Sequence, residues 1–354
     1  GLEHIQEQAL RLLDVGKSID VISGKYIFKS GDILFGKLRP YFRKVIRPKF
    51  DGVCSTDIWV IRAKEGIDQR FLYYVMASEK IVALATQGSE GTKMPRARWD
   101  FLGDVEIDVP SVPEQRKIAE TLGSLDDRIE LNYETNKTLE AIAQAIFKNW
   151  FVDFETFKDG EFEYNGKLGK NIPKGWKIGS LGEVLAEIES GSRPRGGVGN
   201  IVSGVPSIGA EHIMGLGRFD YSKTKYVSEM FSNEMKRGHV KNGDVLLYKD
   251  GAQIGRKAYF DYDFPFEKCC VNEHVFILRT NGMVTQKYLY FWLDQDWVTK
   301  HVINLSLTSA QPGLNQESVK TVPILVPDKE QVYKFDQIIE PFITQIFANA
   351  KEAH

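Results

Sequence analysis

The chain is written twice. KSGDILFGKLRPYFRKV, from Lys29, returns as KNGDVLLYKDGAQIGRKA, from Lys241. GLEHI at the start returns as GAEHI from Gly209, and RFLYYVMASEKIV from Arg70 returns as KYLYFWLDQDWVT from Lys287. VEIDVPSVPEQRKI from Val105 is answered by VPILVPDKEQVYKF from Val322. The offset widens from 208 residues (His4 to His212) to 212 (Asp32 to Asp244) and 217 (Val109 to Val326). Ordered matches with small insertions mean duplication, and a unit of about two hundred residues is a domain rather than a solenoid repeat. At 354 residues the chain can bury two such cores.

Duplication also decides one motif. GDILFGKL, from Gly31, carries most of the G-x-x-x-x-G-K-[ST] pattern that cradles nucleotide phosphates. The position that should give a hydroxyl to Mg²⁺ is Leu38, and the second copy replaces Gly36 with Tyr248. A phosphate cradle would not lose its defining glycine in one of two equivalent domains. Both copies read instead as a Gly-Asp turn leading into a buried strand.

The segments around it are short strands (DIWVIRA, EHVFILRT, DVLLY) with few helices (QRFLYYVMASEKIVALA), which predicts mixed α/β (α+β) domains, mostly strand. From Glu114 the texture changes. Ile118, Leu122, Leu125, Ile129, Asn132, Asn136, Leu139, Ala143 and Ile146 alternate in steps of four and three, a heptad seam introduced by Pro113. Phe335, Ile339, Phe342, Ile346 and Asn349 repeat it after the second domain, with Pro341 expected to kink that helix. Asparagine in a seam costs stability and fixes register. The plain alternative is an amphipathic core helix; the matching pattern after each domain favours two helices packed together. The expected division is a first domain at 1–111, a central helix at 112–156, a second domain at 157–327 and a distal helix at 328–354.

Lys and Arg number 46 against 48 Asp and Glu, so any basic surface is local. Residues 24–49 hold eight cations against Asp32 alone, interleaved with Tyr26, Tyr41 and Phe42, whereas residues 114–140 carry seven carboxylates and four cations. A charge run is usually a solvated face, but cations mixed with aromatics suit phosphate contact and base readout. The candidates here are Lys37, Arg39, Tyr41, Arg43 and Lys44, with Lys249, Gln253 and Arg256 at the matching place in the second copy. Two polar loops also align, QGSEGTKMPRARW from Gln87 and LSLTSAQPGLNQES from Leu305. They differ in their donors: Lys93, Arg96 and Arg98 against Ser309, Gln311 and Asn315. Arg suits guanine, and Gln or Asn adenine, in the major groove. ESGSRPRGGVGN, with Arg193 and Arg195, belongs to the second copy only.

Several functions find no support. The three cysteines (Cys54, Cys269, Cys270) make no disulfide framework or zinc spacing and point to a reducing cytosol. No apolar run is long enough to span a membrane. The repeated Glu-His pairs (Glu3-His4, Glu211-His212) lie in a flanking strand and read as structural.

Two domains, each ending in a Val-Pro/Glu-Gln element that opens a long helix, together with the EHI, GD(I/V)L and IPKGW elements, resemble the specificity subunits of type I restriction-modification enzymes. The resemblance implies two tandem target recognition domains separated by long spacer helices packed as an antiparallel coiled coil. It implies a non-catalytic, cytoplasmic subunit that binds double-stranded DNA and needs no cofactor of its own. Partner methyltransferase subunits would bind S-adenosylmethionine, and restriction subunits would use ATP and Mg²⁺. A DNA-processing enzyme or a protein–protein scaffold on the same architecture stays open as an alternative. The second domain has a lead-in, residues 172–208, without a counterpart before Gly1. The first domain is therefore expected to be short, and another copy of the chain or further residues would complete it.

Antiparallel spacers would put one recognition domain at each end and leave unread base pairs between two half-targets. A heptad inserted after Asn136 should then lengthen the gap without altering either half, as mapping of methylated sites would record. A changed half-sequence would contradict the helix as a ruler.

Overall fold

The repeated Gly-Asp turn is held in the same way in both halves of the computed structural model, which describes residues 1–16, 24–199, 201–307 and 313–354. Asp32 accepts from the Lys29 N–H at 2.7 Å and from Arg62 Nε at 2.8 Å. Asp244 accepts from the Lys241 N–H at 2.8 Å and from Arg279 Nε at 2.7 Å. A glutamine completes each brace. Gln69 donates to Gly31 O and Ile61 O and accepts from the Ala63 N–H; Gln286 does the same with Gly243 O, Leu278 O and the Thr280 N–H. These groups tie the start of one strand to the end of the next.

The chain divides into two compact units, Gly1–Arg128 and Ile129–His354. In the first, β1 (Lys25–Phe28) pairs antiparallel with β4 (Gly52–Ser55), and β2 (Ile33–Gly36) lies between β3 (Val45–Ile46) and β5 (Ile58–Ile61). Helices α1 (Gln69–Ala77), α2 (Glu79–Gln87) and α3 (Trp99–Gly103) follow, then α4 (Val112–Phe151). Asp68 caps α1, accepting from the Arg70 and Phe71 N–H groups, and Ser78 caps α2. Ile33, Phe35, Tyr73, Met76 and Ile81 share the core with Leu102.

The second unit opens with the part of α4 from Ile129, followed by β6 (Phe162–Asn165), β7 (Lys170–Pro173), β8 (Lys177–Ser180), α5 (Leu181–Val184), β9 (Leu185–Ser190) and β10 (Val205–Ile208). After β11 (Gly215–Leu216), β12 (Lys225–Val227) and α6 (Glu229–Glu234) come β13 (Asp244–Tyr248), β14 (Lys257–Phe260), β15 (Cys270–Val271) and β16 (Val275–Thr280). Then follow α7 (Gln286–Leu293), α8 (Asp296–Leu307), α9 (Gln316–Lys320), β17 (Pro323–Val326) and α10 (Lys329–Glu352). The main sheet runs β11-β14-β13-β16-β9, with β12-β10-β15 and β17-β8 as smaller sheets.

The duplication is legible element by element. β2, β3 and β5 match β13, β14 and β16, and α1 to α4 match α7 to α10. Residues 172–208 supply β8, β9 and β10. Among the described residues of the first unit, β5 pairs only with β2 and β4 only with β1.

α10 continues through Pro341 as one helix and packs against the C-terminal half of α4. Asn132 Nδ2 donates to Glu352 at 2.9 Å, Asn136 Nδ2 to Ile346 O at 3.0 Å, and Asn349 Nδ2 to Asn136 Oδ1 at 2.9 Å. Further along, Phe147 meets Phe335 at 5.5 Å between ring centroids. Numbers rise along one helix as they fall along the other, so the pair is antiparallel. Phe147, Phe151, Tyr288, Phe291 and Phe335 fill the core beneath it. The expected seam therefore holds from Asn132 onward but not before. Ile118, Leu122 and Leu125 are exposed, and α4 turns Gln115, Ala119 and Gly123 inward. Gln115 donates to Gly66 O and Pro110 O and accepts from the Asp68 N–H, which selects that face.

The two braces differ in burial. The Arg279 side chain is 15% exposed and Arg62 60%. Arg279→Met should cost about 3–5 kcal/mol, because it strands the buried Asp244 carboxylate. Arg62→Met should cost about 2 kcal/mol, since water can replace the guanidinium. Urea denaturation of the two variants checks the order, and equal losses would contradict it.

Candidate nucleic-acid interface

At the far end of each braced strand three segments meet. In the first unit the Lys37 N–H donates to Asp57 O at 2.9 Å, and Lys37 O accepts from the Ala97 N–H at 2.8 Å. In the second unit the Lys249 N–H donates to His274 O at 3.1 Å, and Lys249 O accepts from the Leu314 N–H at 2.7 Å. The strand end is thus pinned between the turn before β5 or β16 and the polar loop before α3 or α9. The backbone bonds are the same in both copies, while the side chains are not.

In the first unit the junction is cationic. Arg96 makes a two-point ion pair with Asp57, Nε to Oδ1 at 2.8 Å and NH2 to Oδ2 at 3.1 Å, and holds that carboxyl below the usual range. Arg39 NH2 reaches Lys93 O at 3.4 Å, and the Arg39 N–H donates to Pro95 O. Arg39 and Arg43 both have φ of 50° and flank the 3-10 turn Pro40–Phe42. Left-handed backbone at two non-glycine residues costs about 1–3 kcal/mol each and gathers at sites where side-chain placement matters. Tyr41 is exposed and lies edge-on to Phe42.

Two residues of the basic run face inward. Arg43 Nε donates to Ala77 O at 2.7 Å, at the end of α1. Lys44 Nζ donates to Leu2 O at 2.8 Å and lies 3.6 Å from Glu7, with its side chain 15% exposed. Arg98 pairs with Asp100 and Glu90 just before α3, and Lys93 is exposed. Gly36 sits inside β2, where an added Cβ would come within 2.7 Å of Leu2 Cδ2, so this glycine packs a strand and cradles nothing.

In the second unit the junction is built from acids and a histidine. His274 Nδ1 lies 2.9 Å from Asp250 Oδ2 and its Nε2 3.2 Å from Glu273 Oε1, which Arg193 also holds at 2.8 Å. Lys249 Nζ stands 4.8 Å from the Phe276 ring centroid. Gln253 and Arg256 are exposed and bonded to each other at 3.0 Å, and Arg195 is exposed. Asn315 caps α9 by accepting from the Ser318 N–H at 2.7 Å. Ser309 and Gln311 lie outside the described residues.

Asp57, Asp250, Glu273 and His274 were not among the candidates drawn from the sequence. Aligning the two turns, STDIWV and NEHVFI, would have flagged Asp57, Glu273 and His274 as unlike polar residues at equivalent places, and aligning the strand ends does the same for Asp250 against Leu38. His212, by contrast, is fully buried. Its Nδ1 accepts from the Gly209 N–H at 3.1 Å, so Nε2 is the donor to Lys223 O, and burial pushes the imidazole pKa down. It is a structural histidine. Among the described residues no cluster of His, Cys, Asp and Glu could hold a metal ion. None of their helices is long and apolar enough to cross a membrane.

The family model of the type I restriction modification DNA specificity domain matches residues 15–141 and 173–353. The type I restriction enzyme MjaIX specificity subunit of Methanocaldococcus jannaschii is 29% identical over 290 residues, 82% of this chain and 66% of that protein. The HindI specificity subunit of Haemophilus influenzae is 35% identical over 138 residues, 37% of this chain and 30% of that protein. The chain thus spans less than two thirds of the length of these relatives. A crystal structure of a type I restriction-modification S subunit from M. genitalium overlays with a TM-score of 0.49 at 16% identity, covering 93% of this chain and 84% of that one.

Proposed function

The chain belongs to the type I restriction modification DNA specificity family, and on that footing we propose that it is a non-catalytic DNA-reading subunit. Its partners are double-stranded DNA, methyltransferase subunits and restriction subunits, and its place is the cytoplasm. The proposed recognition domains are residues 1–111 and 157–327, followed by the helical segments 112–156 and 328–354. The target is in two unlike parts, one for each domain.

One observation carries this reading: the doubled junction, where identical backbone bonds present different polar side chains. A scaffold would have no use for two such sites with unlike donors. Two readers of different bases would need them, because sequence is read by side-chain hydrogen bonds to base edges while phosphate contacts only position the protein. The side chains proposed to meet DNA are Lys37, Arg39, Tyr41, Lys93 and Arg96 in one domain. In the other they are Lys249, Gln253, Arg256, Arg193 and Arg195.

Mapping methylated bases in a genome that carries this chain with its methyltransferase should return one split, asymmetric target. A continuous target, or methylation without sequence preference, would contradict the proposal. Methyl transfer or DNA cleavage by the repurified chain alone would instead favour a DNA-processing enzyme.

Lys37→Ala with Arg39→Ala should weaken binding across all sequences and shallow the log–log salt dependence by roughly two units, at about 0.9 per phosphate. Lys44→Ala should lower stability and leave the salt slope unchanged, since its ammonium serves Leu2 O. Titrations at several salt concentrations check both, and a slope unmoved by the double substitution would remove these residues from the interface.

A further inference from the structure

The two junctions align residue by residue, and their charged residues stand at different places. Leu38, Thr56, Asp57 and Arg96 of the first unit stand where Asp250, Glu273, His274 and Gly313 stand in the second. The first junction offers a guanidinium steadied by a carboxylate. The second has no cation at the place of Arg96 and offers carboxylates steadied by a histidine and Arg193.

We infer that Arg96, positioned by Asp57, reads a guanine in one half of the target, and that Glu273 accepts from the amino group of a cytosine in the other half. This rests on the DNA-specificity reading and names the bases that each site takes.

The donor inventory supports the first part. Arginine has five N–H groups in a planar fork. Asp57 takes one from Nε and one from NH2, and Met94 O lies 3.4 Å from NH1. Two N–H groups remain for a base, on a side chain 45% exposed. They suit O6 and N7 of guanine, which present two acceptors in the major groove. The ion pair fixes the plane of the fork before DNA arrives, which removes ordering cost from binding. Asp57 is therefore a positioning residue.

The second part rests on what is left unpaired. Glu273 Oε1 lies 2.8 Å from Arg193 NH2 and 3.2 Å from His274 Nε2. Glu273 Oε2 is buried and finds no hydrogen-bond partner among the described residues. Arg39 Nε, at the other junction, is in the same state. A buried polar group without a partner costs stability unless a ligand completes it. A carboxylate there accepts from cytosine N4 and repels the O6/N7 edge of guanine, so it selects by repulsion as well as attraction.

The test measures the base preference at every target position, using the chain with its methyltransferase subunits. Arg96→Ala should relax the preference for guanine at one position of one half by roughly 5- to 150-fold and leave the other half unchanged. Asp57→Ala should relax the same position part of the way, and Asp57→Glu should restore part of that loss. Glu273→Gln should relax a cytosine in the opposite half only; a switch there from adenine would also overturn the assignment of cytosine. Thermal midpoints taken alongside exclude unfolding as the cause. Affinity that falls with all preferences intact, or both halves relaxing together, would overturn the inference while leaving the subunit a DNA reader. A wild-type complex without any base preference would overturn both.

Discussion

The Asp–Arg–Gln brace fixes the register on which the rest of each unit depends. β2 and β13 are buried along their whole length, so a slip of one residue would turn every side chain to the opposite face. Asp32 with Arg62 and Gln69, and Asp244 with Arg279 and Gln286, hold the first residue of that strand to the end of its neighbour. With one end fixed, a strand of four or five residues delivers its other end to one place. That place is the junction, where Lys37 and Lys249 meet the turn and the polar loop. The glycine and aspartate that first suggest a nucleotide loop thus act through register, about one strand length from that junction.

The helices show what a sequence pattern can and cannot specify. The heptad seam located α4 and α10, and the antiparallel contact through Asn132, Asn136 and Asn349 follows it from Asn132 onward. Asn349 pairs with Asn136, and Asn132 with Glu352, which is a register that periodicity alone does not give. Before Asn132 the same pattern misleads. Ile118, Leu122 and Leu125 are apolar and exposed, while Gln115 is almost wholly buried and spends its amide on backbone groups. A heptad reports which face is apolar; what covers it depends on contacts that lie far away in sequence. The strands were more legible than the helical face, because the duplication supplied two readings of each.

Composition marks a basic region without separating the uses of its single residues. Residues 24–49 are basic as stated, yet Arg43 closes the end of α1 and Lys44 holds Leu2. Long cationic side chains serve backbone carbonyls as readily as phosphates, and composition does not separate the two uses. The acids were missed for the opposite reason. Asp57, Asp250 and Glu273 look like ordinary turn residues until the junction brings them beside Arg96 and His274. Their place is set by β5, β13 and β16, not by any local motif.

The central claim is that two equivalent sites, identical in backbone and unlike in side chains, touch DNA independently. A hydroxyl-radical footprint of the methylated target, bound by the chain with its methyltransferase subunits, tests it directly. The account predicts two protected patches separated by cleavable base pairs, with substitution of Lys37 and Arg39 weakening one patch and sparing the other. A single continuous patch, or two patches that fade together when only the first junction is altered, would contradict it.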